Sequence, residues 1–502
     1  MLKRNLIANY LGQAWVALMG LAFIPVYIKY LGMEAWGLVA FMSTLQAWLL
    51  LLDAGLTPAV SREMARYTAG HHDVQSVRNL LRTAEVFFTA LAVLIATVFS
   101  LASPWIASHW LTKNQLSEEE TAWALVVMGI VLAGRLVEQS YRGILRGLQH
   151  QVWLNSIDAV MATFRWAGAA VIASAYPFIV PFFLWQALVS SLSLLILVRE
   201  TSRVLPATAA PARLDLRWIR SIRSFAGGMF MITALTLALG QIDKLLLSKL
   251  LPLDQYGAYM LAAALAAGIS FLVMPVSLAV GPYFAKLVAL GNEQAVRVVF
   301  HKASQWVGMI VVPIGLTIAF FARDMIWVWT GNGSLADRAA PILVPLALGT
   351  TLNAFMHIPY QVQLAYGWTR LAVMANAIAV AILFPAILIG VPKYGAIAAA
   401  WIWCILNIGY LLWVPHFFHR RILKEEKWFW YINGVIKPTA VSVLIIGLSK
   451  ILVGGQLNSR QMAVWTMVLC AVMCVFAAMI VAPNLRVAVA YRWKTKRVSA
   501  RK

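Results

Sequence analysis

Charge is what this sequence lacks most. Only 12% of its 502 residues are charged, where a soluble chain carries about a quarter, so most of the surface does not face water. Cysteine is nearly absent. Cys404, Cys470 and Cys474 all fall in apolar segments, which argues against a disulfide framework. Cys470 and Cys474 share a helix face but lack the further ligands a zinc site needs. A Walker-type glycine loop, a His-Glu-x-x-His pair and a nucleophile elbow are missing. No polar stretch is long enough for a separate catalytic domain; the longest are about 104–120 and 199–223. No catalytic residues, cofactor or metal are therefore expected. Nor is a cleavable signal peptide, because the apolar run after Met1-Leu-Lys-Arg continues to about Ile28 with no small-residue cleavage site.

What the sequence has is apolar length. Blocks near 20 residues, enough to cross about 30 Å of hydrocarbon as a helix, recur at roughly 6–28, 36–58, 83–103, 121–141, 153–175, 178–198, 224–248, 257–282, 303–322, 340–363, 371–391, 396–415, 435–453 and 462–482. The expected fold is an all-α polytopic membrane protein with about 14 transmembrane helices. Turn residues mark the joints, as at Leu31-Gly32 and Tyr176-Pro177, and Trp105, Trp110, Trp327 and Trp329 stand at span ends, where interface aromatics belong.

The charge that is present is lopsided, with 41 Lys and Arg against 19 Asp and Glu, a net +22. About 30 of the 41 basic residues fall in loops of one side, and the positive-inside rule makes that side, with both termini, cytoplasmic. This accounts for the basic balance without nucleic acid. The tail from Arg486 to Lys502 is expected to lie on anionic lipid.

The chain also repeats itself. At an offset of 257 − 37 = 220, Gly37 meets Gly257, Lys29 meets Lys249, Glu34 meets Asp254, Arg66 meets Lys286 and Arg82 meets Lys302. Six spans separate the copies, so both begin on the same side, as in a parallel repeat about an axis along the membrane normal. The expected organisation is an N-terminal six-helix lobe (1–200), a linker (201–223), a C-terminal six-helix lobe (224–420), two extra transmembrane helices (421–485) and a basic tail (486–502).

A charge at mid-bilayer costs on the order of 3 kcal/mol on insertion scales, so each one retained in a span needs a reason. Arg135, Glu138 and Arg142 fall at i, i+3 and i+7 on one face of span four. Glu138 and Arg142 suit an ion-pair ladder toward the surface. Arg135 lies about two turns deeper, and Arg165 is near the middle of span five. An isolated deep arginine suits a wet cavity, and its planar fork suits phosphate. Asp53, in Leu52-Asp53-Ala54-Gly55-Leu56, reads either as a cavity carboxylate or as a helix-packing position. Asp243-Lys244 reads either as a site or as a local pair. The candidate substrate-binding residues are thus Arg135, Arg165, Asp53 and Lys244, and those for ion coupling are Asp53, Glu138 and Asp243.

Leu31-Gly32 before Trp36-Gly37-Leu38, then Leu52-Asp53-Ala54-Gly55-Leu56 and Arg62-Glu63-Met64-Ala65, resembles the opening of Wzx-type polysaccharide biosynthesis flippases. Gln241-Ile242-Asp243-Lys244 and Tyr256-Gly257 resemble the start of their second half. The resemblance covers about 1–420 and extends to the superfamily of MATE exporters and MurJ-type lipid II flippases. It implies two pseudo-symmetric six-helix lobes around a central cavity, with alternating access. The implied substrate is a polyprenyl-pyrophosphate-linked oligosaccharide, an O-antigen or similar repeat unit, flipped by a monomer in the bacterial inner membrane. Membrane lipids are implied partners, with glycan polymerase and chain-length machinery as further candidates. The first span lacks the charges usual in lipid II flippases, and spans one, eight and ten lack the acids usual in MATE exporters. The alternatives in view are a MATE-like exporter of small solutes and a membrane enzyme of glycan assembly, a polymerase or ligase.

Overall fold

A computed structural model describes the backbone of residues 2–53, 55–206, 210–452 and 459–482, with side chains at 2–10, 50, 216–229 and 231–232 left aside. The basic tail therefore lies outside the described residues, as does part of the 201–223 linker. The described residues form helices and short connections. Among them twelve helices are long and apolar enough to cross a membrane. Two further long helices, Met33–Leu52 and Leu216–Leu250, occupy expected spans two and seven.

By packing, the chain divides into two units, Met1–Gly257 and Ala258–Lys502. The first holds α1 (Leu2–Ala22), α2 (Ile24–Leu31), α3 (Met33–Leu52), α4 (Leu56–Thr68), α5 (Val74–Trp105), α6 (Glu118–Gly147), α7 (Gln151–Ala175), α8 (Ile179–Val204) and α9 (Leu216–Leu250). α6 is its buried axis, packed by α4, α5 and α8. A lipid-embedded helix gains nothing from swapping lipid tails for leucine, so close approach of backbones has to hold such packing. Gly147 shows how: a methyl group there would lie 2.4 Å from the Ser61 carbonyl oxygen on α4.

The second unit holds most of α10 (Leu253–Ala289), then α11 (Glu293–Phe320), α12 (Ala322–Thr330), α13 (Gly333–Ala354), α14 (His357–Ala365), α15 (Arg370–Tyr394), α16 (Ala396–Arg421), α17 (Lys427–Trp430), α18 (Lys437–Leu452) and α19 (Arg460–Val481). Its buried axis is α11, against which α13, α18 and α19 pack. A wide π-turn at Tyr431–Ile436 joins α17 to α18.

Span two does not run unbroken to 58 as expected. α3 stops at Leu52, and Gly55, at φ 74° in the left-handed region, is the N-cap of α4. The cause is Asp53, whose Oδ1 accepts from the Thr57 backbone N–H at 3.0 Å and its hydroxyl at 2.6 Å. That bond satisfies one of the free N–H groups at the start of α4.

The repeat has a structural counterpart inside the first unit. α3 and α10 begin at Met33 and Leu253, 253 − 33 = 220 residues apart, the offset of the matched charges. The two helix starts meet each other. A methyl on Gly37 would lie 2.3 Å from the Leu253 oxygen, and one on Gly257 would lie 2.8 Å from the Met33 oxygen. Each glycine thus lies against the main chain at the start of the other helix. Trp36 Nε1 donates to the Gly257 oxygen at 3.1 Å, and the hydroxyls of Thr44 and Tyr256 pair at 2.8 Å.

This contact predicts a difference between glycines. Gly37→Ala forces two backbones apart and is expected to lower stability by about 1–3 kcal/mol. Gly268→Ala on α10, where an added methyl meets nothing within 4 Å, is expected to be neutral or slightly stabilising. Thermal unfolding midpoints in detergent check this, and equal midpoints would contradict the contact.

Candidate functional site

The buried charges gather where α6, α7, α8 and α3 meet in the first unit. α6 and α7 form a hairpin turning at Leu148–His150. In an antiparallel hairpin, residues equally far from the turn lie level with each other. Arg142 and Asp158 each stand 8 residues from His150, and Arg135 and Arg165 each stand 15 away. The first pair is ionic: Arg142 Nη1 donates to Asp158 Oδ1. Its Nη2 also donates to Glu138 Oε2 at 3.2 Å, and Ser190 on α8 donates to Glu138 Oε1 at 2.8 Å. Both Glu138 oxygens and both Arg142 terminal nitrogens are thereby engaged.

The second level, seven residues or about 10 Å further along α6, is different in kind. It sets two arginines within electrostatic reach of each other, with no carboxylate bonded to either. Arg135 donates through Nη1 to Oε1 of Gln46 on α3. Its Nε and Nη2 are buried without a protein partner, and so are Nε and Nη2 of Arg165. A buried donor left unsatisfied costs about 1–3 kcal/mol, more when charged. Across Arg135, Arg142, Arg165, Glu138 and Asp158 the formal charges sum to one positive. Guanidinium nitrogens left unmatched in this way are donors of the kind that an anion's oxygens accept from.

The remaining sequence candidates lie elsewhere. Asp53 is 8% exposed and its bonds go to Thr57, so it caps a helix. Lys244 Nζ donates to the Gly240 carbonyl at 2.6 Å and pairs with Asp243 at 3.5 Å, the local pair foreseen as one reading. Residue-level reasoning passed over three members. Asp158 lies near the start of span five, where charges are ordinary, and only its symmetry with Arg142 about the turn singles it out. Gln46 and Ser190 are neutral, and nothing in the sequence distinguished them from other span polars.

Among the described residues, no group of three or more His, Cys, Asp or Glu is placed to hold a metal.

Against known proteins, the family described as "Polysaccharide biosynthesis protein" matches residues 2–288, and the MatE family matches residues 229–389. A protein of Shigella flexneri described as "Putative O-antigen transporter" is 19% identical over 410 residues, 80% of this chain and 94% of that protein. Among solved structures, "Lipid II flippase MurJ, inward closed conformation" aligns with a TM-score of 0.73 at 12% identity, over 95% of this chain and 98% of the other. An inward-facing multidrug resistance MATE family transporter of the MOP superfamily aligns with a TM-score of 0.63 at 14% identity, over 81% and 95%. These relatives carry names of transporters and flippases, not of enzymes. The resemblance first seen in the Gly32–Ala65 motifs thus extends over more than half of the sequence, and the chain belongs to the polysaccharide biosynthesis protein family.

Proposed function

We propose that this chain is a flippase that moves a polyprenyl-pyrophosphate-linked oligosaccharide from the cytoplasmic to the periplasmic leaflet by alternating access. The observation that carries the reading is the level of Arg135 and Arg165: two deep guanidiniums within electrostatic reach of each other, four of their nitrogens unmatched, in a cluster that is net positive. Two like charges at one depth repel, and insertion of each is costly. A pyrophosphate relieves both penalties at once. No covalent step is needed, since the headgroup only has to keep its polar groups hydrogen-bonded on the way across. The names of the relatives support the same substrate class. The basic side of the chain then faces the cytoplasm of the cell that makes the glycan, and the membrane is its inner one.

The match to MatE over residues 229–389 favours a second reading, a small-solute exporter on the same fold. A site one charge positive repels the cationic compounds such an exporter would take, so the anionic substrate is preferred.

Two kinds of variant separate transport from scaffold. Arg135→Ala and Arg165→Ala each delete charge-assisted bonds worth about 1.5–3 kcal/mol. Each is expected to lower glycan export by about tenfold to a hundredfold, with membrane abundance little changed. Surface glycan and lipid-linked units trapped on the cytoplasmic leaflet are the readouts. Full export by both variants at normal abundance would defeat the assignment. Asp158→Asn instead strands Arg142 and is expected to lower abundance and thermal stability first, by about 1–3 kcal/mol given its partial exposure.

Asp53 is tested separately. Asp53→Asn keeps an acceptor for Thr57 and removes the titratable proton. If Asp53 acts as a helix cap alone, export by this variant stays near normal. Export that fails while the protein folds normally would make Asp53 a coupling residue.

A further inference from the structure

The turn between α5 and α6 does more than connect them. α5 runs into a wide π-turn at Ile106–Trp110, and residues 111–117 then lead to α6, whose N-cap is Ser117. This strap lies on the side opposite the basic loops. It is bonded to the start of both copies of the repeat, to α3 of the first and to the α9–α10 turn of the second. The two attachments differ in kind.

On α3 a buried carboxylate holds the strap. Glu34, 4% exposed, accepts from three successive backbone N–H groups: Asn114 at 2.8 Å through Oε1, then Gln115 at 2.9 Å and Leu116 at 3.0 Å through Oε2. Bonds to an ionised acceptor are about twice as strong as neutral ones. A carboxylate out of water also loses its solvation if they break. Lys113 closes the strap on itself, donating to the Ala107 carbonyl at 2.5 Å. On the α9–α10 turn the bonds are single and separate. Trp110 Nε1 donates to Ser248 Oγ at 3.1 Å, and the Leu253 backbone N–H donates to the Thr112 carbonyl at 2.8 Å. Lys249 Nζ donates to the His109 carbonyl from an exposed position and lies 5.8 Å from the Trp110 ring centre. Bonds of this kind have a modest net strength, because water can replace either partner. The strap is thus anchored on α3 and only clipped to the turn.

We infer that residues 106–117 are a latch across the outer mouth. Carried on α3 by Glu34, the latch holds α3 against the α9–α10 turn, and it releases Ser248, Lys249 and Leu253 before the mouth opens outward. Beneath it the two copies meet at Gly37 and Gly257, so the clipped bonds and the glycine contact part together. The inference rests on the alternating-access reading, under which this mouth opens once for each cargo, and on the orientation taken from the loop charges.

The test locks and loosens the latch in the full chain, with the three native cysteines, all buried, replaced by alanine. Thr112 and Pro252 form a parallel bridge, so Thr112→Cys with Pro252→Cys places two thiols on backbones about 5 Å apart, within disulfide reach. Ser248→Ala with Lys249→Met removes two of the clips and leaves Glu34 alone. The reporter is Thr44→Cys, on a buried residue whose hydroxyl meets Tyr256 across the same seam. Its labelling by a membrane-impermeant maleimide added from outside reads how often the mouth opens. The loosened chain is expected to label about tenfold faster than the parent, as loss of two bonds implies, and the oxidised lock more slowly than either. Export is expected to stop in the oxidised lock at normal abundance and to return with reductant, which separates locking from misfolding. Equal labelling in the loosened chain and the parent would overturn the latch, whether or not the disulfide pair folds. So would normal export through a fully formed disulfide. If labelling follows the latch while deletion of the gene leaves surface glycan unchanged, the flippase reading fails and the latch stands. If export depends on Arg135 and ignores the disulfide, the latch fails and the flippase stands.

Discussion

Hydrocarbon gives a charged group nothing to bond to, and the first unit is organised around that fact. Each charge on the inner face of α6 has to find its counterpart within reach of its own side chain. The α6–α7 hairpin supplies one level at which this is achieved, with Arg142 held by Asp158 and Glu138, and Ser190 completing Glu138. One level deeper the same register sets Arg135 and Arg165 equally far from the turn, with no carboxylate bonded to either and four of their nitrogens unmatched. The hairpin's register is common to both levels, so the difference is one of residue choice. Evolution of a merely stable bundle would place a carboxylate or a leucine at 135 or 165. That exception is the ground on which the site is proposed.

The rest of the packing follows from the weakness of apolar driving force between helices in lipid. Contact has to come from backbone proximity, and the glycines sit where two backbones touch. Gly147 against Ser61 ties α4 to α6, and Gly308 on α11 meets the carbonyl oxygen of Gly434 in the π-turn between α17 and α18. In the second case the close approach docks the last two long helices onto the unit's own axis. The reciprocal contact of Gly37 and Gly257 uses the same device between the two copies of the repeat, where any side chain on one copy would meet the main chain of the other.

How much of this was legible in the sequence depended on whether a feature is local. Helix number and depth are properties of composition, and the apolar blocks announced them. The repeat was legible because charges are sparse, so four that recur at one offset stand out. The break at Asp53–Gly55 was not foreseen, although its chemistry is local: a short acid followed by glycine is a capping signal in water, but the apolar flanks masked it as span interior. Asp158 was missed because it lies near a span end, where charges are ordinary. Its meaning comes only from being as far past His150 as Arg142 is before it. Gln46 had no signal at all, since its role depends on α3 lying beside α6, a contact between residues 89 apart.

On the proposed flippase reading, the balance of charge in the site bears on release of the cargo as well as on its binding. A carrier has to hold its cargo well enough to draw it out of one leaflet and loosely enough to release it at the other. Three arginines without acids would bind a pyrophosphate with a depth that slows release. Glu138 and Asp158 neutralise Arg142 and part of the field of its neighbours, leaving a single net positive charge spread over two planar donors. Such a site offers directional hydrogen bonds to phosphate oxygens with only a modest Coulomb well. Arginine suits this better than lysine because its donors are fixed in a plane and its charge is weakly hydrated. On the proposed flippase reading, the acids on the same face of the hairpin belong to the transport machinery without touching the cargo, since they set how strongly the two deep arginines would hold it.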